Sequence, residues 1–456
     1  MGLAPLVFGT CCALTWLLLL PAFAGASAPD DPSEQWLPRS DGAEWVYEWS
    51  DSAYSPTPRR EVYRIESRRG TSFRLRWDEI GTQSDQPPST GAMDFQHTDA
   101  GLVNLNWQST QPPPEFPVLC PTASQCGNSL AGALYMLIWG TRSPVLAEPL
   151  MNGTRWNSLG GASNDVASAN RYRGQSKVVV PAFPAGVLSA KAESEITQAG
   201  AIGDPYGSGV RTVHWVRGVG PVKIVFRHAG GELSQAQLVQ TTLEPLPLPP
   251  ADNPLPLNRG DKGAFRWRNS RHMRRWSHQR FEVSEVVNNT ARVDVEHVSG
   301  PIRVAGNYIF ATRLSGVTNL SAFTRAATRA DFPRLGPRGQ PPDQRRRFFT
   351  PFDLMAFGFN PVLPAYPARG DAWRGSRGGR DWSVFGVTGR SKVVGTRRVR
   401  TPAGRFKALV VKSRLTQRGF RFGSGRRTMW FAPGRGLMKL VFRHGDGSLS
   451  TVERLR

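Results

Sequence analysis

A chain of 456 residues exceeds what one hydrophobic core organises, which excludes a single small domain and suits two or three. The formal charge of +23 is unevenly placed: residues 1–255 carry 18 basic and 23 acidic side chains, residues 256–456 carry 40 and 12. A half that cationic attracts polyanions, whether cell-wall polymer, anionic lipid headgroup, acidic polysaccharide or nucleic acid. Only 8 of the 58 basic residues are Lys. A GC-rich genome accounts for the choice of Arg, but not for why the second half alone is so cationic.

Residues 6–20 are almost wholly apolar and end in Leu17-Leu-Leu-Leu20-Pro21, followed by the small-residue patterns Ala22-Phe-Ala24, Ala24-Gly-Ala26 and Ala26-Ser-Ala28. An apolar core of about 15 residues is short for a membrane span and fits a secretory signal over residues 1–28. No Lys or Arg precedes it, which keeps an uncleaved N-terminal anchor as the alternative. Cys11 and Cys12 lie inside this run. Export places the chain in an oxidising compartment, where Cys120 and Cys126, flanking Pro-Thr-Ala-Ser-Gln, are expected to form a disulfide. No further ligands stand close by, so no metal site is expected there.

The next feature is a stretch that occurs twice. Arg211 to Ser234 and Arg427 to Ser450 align without a gap, each with a Gly-x-Gly turn, an alternating strand (Val222, Ile224, Phe226; Met438, Leu440, Phe442), a Phe-Arg-His end and a second glycine turn. Period two with one apolar face predicts half-buried antiparallel strands, so each copy reads as a three-stranded meander. Gly42, Tyr47 and Trp49 match Gly260, Phe265 and Trp267 at one offset, and Pro184-Ala-Gly186 answers Pro402-Ala-Gly404. Two modules follow, over residues 37–244 and 257–456. Between them, residues 245–256 belong to a proline-rich spacer of extended polyproline type, with six prolines in the 13 residues 244–256. The predicted class is all-β, each module a curved antiparallel sheet or half-barrel with a short lid segment. The lids are the apolar run Leu130–Trp139 and the segment Phe348–Phe359, read as short helices or strands that close over the open side of a sheet.

Three patterns in the second module suggest a family. They are Leu255-Pro-Leu-x-x-Gly-Asp-Lys262 with Phe265 and Trp267, Thr401-Pro-Ala-Gly-x-Phe-Lys-Ala408, and Met429-Trp-Phe-Ala-Pro-Gly-x-Gly-Leu-Met-Lys439. Together they resemble secreted bacterial proteins of unknown function with a LolA/LolB-like curved β-sheet (DUF3108-like), here as a tandem pair. The first module is a degenerate match. The resemblance implies a half-barrel fold, an envelope location and, through the best-understood relatives of that fold, binding of acyl chains. It implies no catalytic residue and no cofactor.

The sequence holds no nucleophile elbow, zincin, Walker or dinucleotide fingerprint. Gly423-Ser-Gly425 reads as a turn, and His228 and His444 read as structural because no acid or second His adjoins them. Asp294 and Glu296 share one strand face and read as solvated rather than as an acid–base pair. Arg369-Gly-Asp371 and the Asn-x-Ser/Thr triplets are treated as incidental. The best recognition candidate is Arg345, Arg346 and Arg347 followed by Phe348 and Phe349, a cationic cluster that can hold an anionic headgroup while the rings meet an apolar tail. The expected function is that of an exported, non-enzymatic envelope protein. Each sheet would offer a concave apolar surface, and the arginines of the second module would attract an anionic lipid or wall polymer. An envelope-polymer hydrolase and an assembly factor for another protein are the alternatives. No physiological nucleic acid partner is expected; peripheral membrane contact is compatible with the charge.

Overall fold

The computed structural model describes residues 35–80, 89–109, 116–117, 119, 130–160, 166–199, 205–249, 253–300, 303–313, 315–326, 332–333, 350–358, 361–375 and 387–455. The signal segment 1–28, Cys120, Cys126 and Arg345 to Phe349 lie outside the described residues.

The chain is all-β with two short helices. The first sheet comprises β1 (Glu44–Asp51), β2 (Ser55–Arg69), β3 (Ser72–Ile80), β4 (Thr90–Thr98), β5 (Gly101–Ser109), β6 (Leu146–Ala147), β7 (Arg155–Leu159), β8 (Val166–Val180), β9 (Phe183–Gln198), β10 (Gly209–Val216), β11 (Gly220–His228) and β12 (Leu233–Thr241), with α1 (Ala133–Ile138) between β5 and β6. The second comprises β13 (Lys262–Asn269), β14 (Met273–Val287), β15 (Thr290–Ser299), β16 (Val304–Arg313), β17 (Gly316–Ala326), β18 (Ala372–Gly375), β19 (Val387–Thr401), β20 (Gly404–Gln417), β21 (Gly425–Ala432), β22 (Gly436–His444) and β23 (Leu449–Arg454), with α2 (Pro351–Ala356) between β17 and β18. Both sheets belong to one compact unit.

Each sheet is an antiparallel meander whose last strand pairs with its first, β12 with β1 and β23 with β13. The strands therefore follow a ring in chain order, and the break falls between β6 and β7, or between β17 and β18. In the first sheet the break is nearly closed. The segment 142–145 bonds both sides: Val145 N donates to Leu102 O (2.7 Å), Arg142 N donates to Leu159 O (3.2 Å), and Ser143 bridges Leu159. In the second, Val317 bridges Leu363 and the Trp373 indole donates to Pro361 O at 3.1 Å.

The doubled meander forms as its pattern dictates. Val222, Ile224 and Phe226 on β11 and Met438, Leu440 and Phe442 on β22 are buried, while Arg227 and Arg443 are exposed. Gly220 and Gly436 enter these strands at φ 118° and 82°, which a side chain would disfavour.

Each lid segment contains a helix, α1 in the first and α2 in the second, and both helices are covered. All six residues of α1 are buried, and it packs on β1, β11 and β12. All six of α2 are buried as well, and Phe352 meets Phe265, Phe281, Tyr308 and Phe310. Proline at the first turn and a Thr350–Asp353 capping box start α2 where the sequence places them. The apolar inner face of each sheet is thus occupied by the protein's own helix and rings among the described residues. This differs from the open concave surface expected above, because a run as apolar as Leu130–Trp139 is itself the best available cover. No helix among the described residues is long and apolar enough to cross a membrane.

Candidate functional site

The repeated residues build scaffold. Arg211 on β10 and Arg427 on β21 are each 1% exposed. Arg211 Nη1 donates to the carbonyls of Met136 and Trp139, and Nη2 donates to Thr141 Oγ1 at 2.8 Å. Arg427 Nη1 donates to Leu354 O (2.6 Å) and Phe357 O (2.9 Å). The last carbonyls of a helix have no partner within it and form the negative end of its dipole, so each buried guanidinium completes one helix C-terminus. Burial pulls both guanidinium pKa values down to about 9. The other end of α1 rests on Glu61, which accepts from Ala133 N at 3.0 Å and Tyr63 OH at 2.6 Å. Burial pushes this carboxyl up to about 7 against those hydrogen bonds.

The paired histidines are equally structural. His228 Nδ1 meets Tyr206 O at 2.5 Å and Nε2 meets Ser234 Oγ at 2.7 Å; His444 meets Phe422 O at 2.6 Å and Ser450 Oγ at 2.7 Å. Ser234 donates onward to Asp51 Oδ2 (2.6 Å), whereas Asn269 donates to Ser450 (3.0 Å). Asp51, Ser234 and His228 are hydrolase residue types, but here the serine, not the histidine, stands between the other two. Asp51 and Ser234 are each 1% exposed, and a nucleophile must reach substrate. Burial lowers the pKa of both histidines, His444 to about 4.

The remaining sequence candidates separate. Asp294 pairs with Arg292 at 3.0 Å, and Glu296 stands exposed opposite Arg280. Ser424 donates to the carbonyls of Gln417 and Phe420 and accepts from Gln417 N, as a turn residue does. Asp371 closes a turn by accepting from Ala368 N at 2.7 Å. Among the described residues no three His, Cys, Asp or Glu side chains converge to hold a metal ion.

Strand register creates a feature that the sequence reading missed. Arg374 stands opposite Arg390, Arg390 opposite Arg414, Arg414 opposite Arg426, and Arg426 opposite Arg443. Five arginines on five consecutive strands, β18 to β22, therefore form one cross-strand row. At roughly 4.8 Å between strands the row extends about 19 Å. Beside it, Lys392 stands opposite Lys412. All seven cations are exposed on the face turned away from α2, and none forms an ion pair among the described residues. A groove of about 550 Å³ runs along this face. Like charges directly opposite one another destabilise a sheet, so this arrangement carries a cost that a bound anion would offset.

The first sheet places different charges on the same framework. Its corresponding row is Asn157, Ala169, Glu195, Val210 and Arg227, and the pair beside it is Arg171 opposite Glu193. Arg171 and Arg173 both pair with Glu193, Arg173 at 2.9 Å. Hydrogen bonds from Arg173 and Arg171 hold the Glu193 carboxyl down at about 2. The signal was present in the sequence. Glu193-Ser-Glu195-Ile-Thr-Gln198 aligns with Lys412-Ser-Arg414-Leu-Thr-Gln417, and both acids become cations.

No protein-family model and no curated protein matches the chain. Among solved structures, a Parabacteroides distasonis protein assigned as a lipoprotein is similar over 45% of this chain and 97% of its own, with 11% identity and a TM-score of 0.25. An exported Bacteroides fragilis protein assigned a YmcC-like fold is similar over 45% and 98%, with 15% identity and a TM-score of 0.21. The Pseudomonas aeruginosa MucA/MucB complex is similar over 91% and 89%, with 10% identity and a TM-score of 0.21.

Proposed function

We propose that this is an exported, non-enzymatic envelope protein whose second module binds an anionic polymer of the envelope along the outer face of β18 to β22. The observation that carries this reading is the row from Arg374 to Arg443, with Lys392 and Lys412 beside it, in no ion pair among the described residues. A single-file row of guanidinium forks suits a chain of repeated phosphate or carboxylate groups. A bilayer contact would call for apolar anchors as well, and the groove is lined by Ala372, Thr428 and Val441 besides its cations and serines. In this reading residues 1–28 direct export and Cys120 pairs with Cys126. Arg345, Arg346, Arg347, Phe348 and Phe349 add to the same cationic half.

The test uses the full mature chain and an Arg414→Glu, Arg426→Glu double variant. Retention on immobilised polyphosphate and poly-L-glutamate is compared at low and high salt with cosedimentation on phosphatidylglycerol vesicles. Polymer binding that weakens with salt and with the double variant is expected. Stronger capture by vesicles would assign the face to lipid instead. Equal binding by wild type and variant would remove the row from the function.

A further inference from the structure

A second place with binding chemistry lies where the two modules meet. A cleft of about 490 Å³ opens between the start of β7, the end of the proline-rich spacer and the β14–β15 hairpin, within the range of small-molecule sites. Six of its 15 lining residues are asparagines, and none is acidic. Its walls are held in register by direct contacts. Asn157 N donates to Asn288 Oδ1 at 3.3 Å, and Asn289 Nδ2 donates to Glu148 O at 3.4 Å. Gly153, at φ 92°, lies so close to Asn258 that a Cβ there would stand 2.0 Å from its Oδ1. Asn288 is the one non-glycine with a left-handed backbone among the described residues, at φ 50°, a conformation asparagine tolerates better than most. Leu150 N also donates across the junction, to Tyr366 OH at 2.8 Å.

The chemistry of the lining selects a ligand class. The Nδ2 groups of Asn157, Asn253, Asn258 and Asn288 donate to no protein group among the described residues. Each carboxamide offers a donor and an acceptor, which matches a hydroxyl that is both. Leu257, Val286 and Ala291 supply a small apolar patch of the kind the C–H face of a sugar ring covers. Arg155 and Arg259 are exposed, line the cleft, and form no ion pair among the described residues. Planar guanidinium groups recognise a carboxylate or phosphate by two parallel hydrogen bonds. We infer that this cleft binds an acidic saccharide, its hydroxyls on the asparagines and its acid group on Arg155 and Arg259. The inference stands apart from the outer cationic face, which lies on other strands and holds no asparagine.

Titration calorimetry on the full mature chain tests it with three probes: trigalacturonate, glucose 6-phosphate and neutral maltotriose. Binding of at least one acidic probe is expected, and which one binds identifies the acid group as carboxylate or phosphate. An Arg155→Met, Arg259→Met variant, whose folding is checked by its thermal melt, should weaken that binding by about tenfold or more. Asn157→Ala with Asn258→Ala should weaken it independently. Arg414→Glu with Arg426→Glu should leave it unchanged, which keeps this site distinct from the polymer face. The inference is overturned if neither acidic probe binds, if maltotriose binds as tightly, or if the cleft variants bind like wild type. Loss in the Arg414/Arg426 variant alone would place the binding on the outer face and overturn it as well.

Discussion

Arg414 occupies in the second sheet the place that Glu195 holds in the first. They stand on β9 and β20, each the third strand from the break in its ring, one residue beyond a buried serine, and both face outward. The neighbour two residues earlier is Lys412 in one and Glu193 in the other. The same fold thus presents a self-neutralised face in the first module and a one-sign face in the second. Charge difference, not shape, separates them. Exchanging the charges should therefore move the activity. Glu193→Lys with Glu195→Arg should create a second polyanion-binding face and raise retention on polyphosphate at low salt, by roughly tenfold if the added cations act together. Retention unchanged by that exchange would mean that the cationic row is incidental.

Arg427 offers a test of the scaffold. It donates to the two carbonyls that end α2 and lies almost fully out of solvent. Arg427→Met keeps much of the volume but leaves those carbonyls buried without their donor. A loss of about 2–4 kcal/mol is expected from urea denaturation. Arg427→Lys should recover only part, because an ammonium is a point donor and does not reproduce the planar fork. Full stability in Arg427→Met would show that α2 does not depend on this cap.

How much of this was legible beforehand depends on the range of the interaction. The meanders were, because burial of Val222, Ile224 and Phe226 follows directly from period two and the flanking glycines. The nature of the lids was not: a short apolar run has no period that separates helix from strand, and α1 is buried on every side. Nothing local in the sequence marks the repeated Arg211 and Arg427, since nothing near them reports that a helix end lies against them. The row from Arg374 to Arg443 needs the register of four hairpins, including the irregularity between Val393 and Gly395, before its members become neighbours. Only the exchange of Glu193-Ser-Glu195 for Lys412-Ser-Arg414 hinted at it.

Glu61 should give the first module a pH dependence of its own. Its carboxyl is raised to about 7 in the folded chain from an ordinary value of 4.5. The unfolded chain releases this proton at lower pH than the folded one, so folding loses stability as pH rises from 4.5 to about 7. The loss is on the order of 3 kcal/mol at full ionisation. The second module carries Gln279 at the matching place, opposite Phe265 as Glu61 is opposite Tyr47. Glu61→Gln should remove this slope, read from denaturant midpoints across that range. An unaltered slope would show that Glu61 is ionised in the folded state throughout.

His444 should act with the opposite sign in nearly the same window. Burial lowers it to about 4 from 6.5, so the unfolded chain takes up the proton first as the solution is acidified. Its contribution is fully present above pH 6.5 and is lost as pH falls towards 4, again on the order of 3 kcal/mol. His228 is lowered too and adds to the same trend. Raising the pH from 4.5 to 6.5 thus strengthens the fold through the histidines while weakening it through Glu61, and the wild-type profile should be flatter than either contribution. Glu61→Gln should unmask a steady rise in stability over that interval. His444→Gln should tilt the profile the other way, whatever its uniform cost from disturbing the stack on Phe422 at 4.2 Å. The slope, not the absolute midpoint, decides: parallel profiles for wild type, Glu61→Gln and His444→Gln would mean that neither group changes protonation on unfolding in this range.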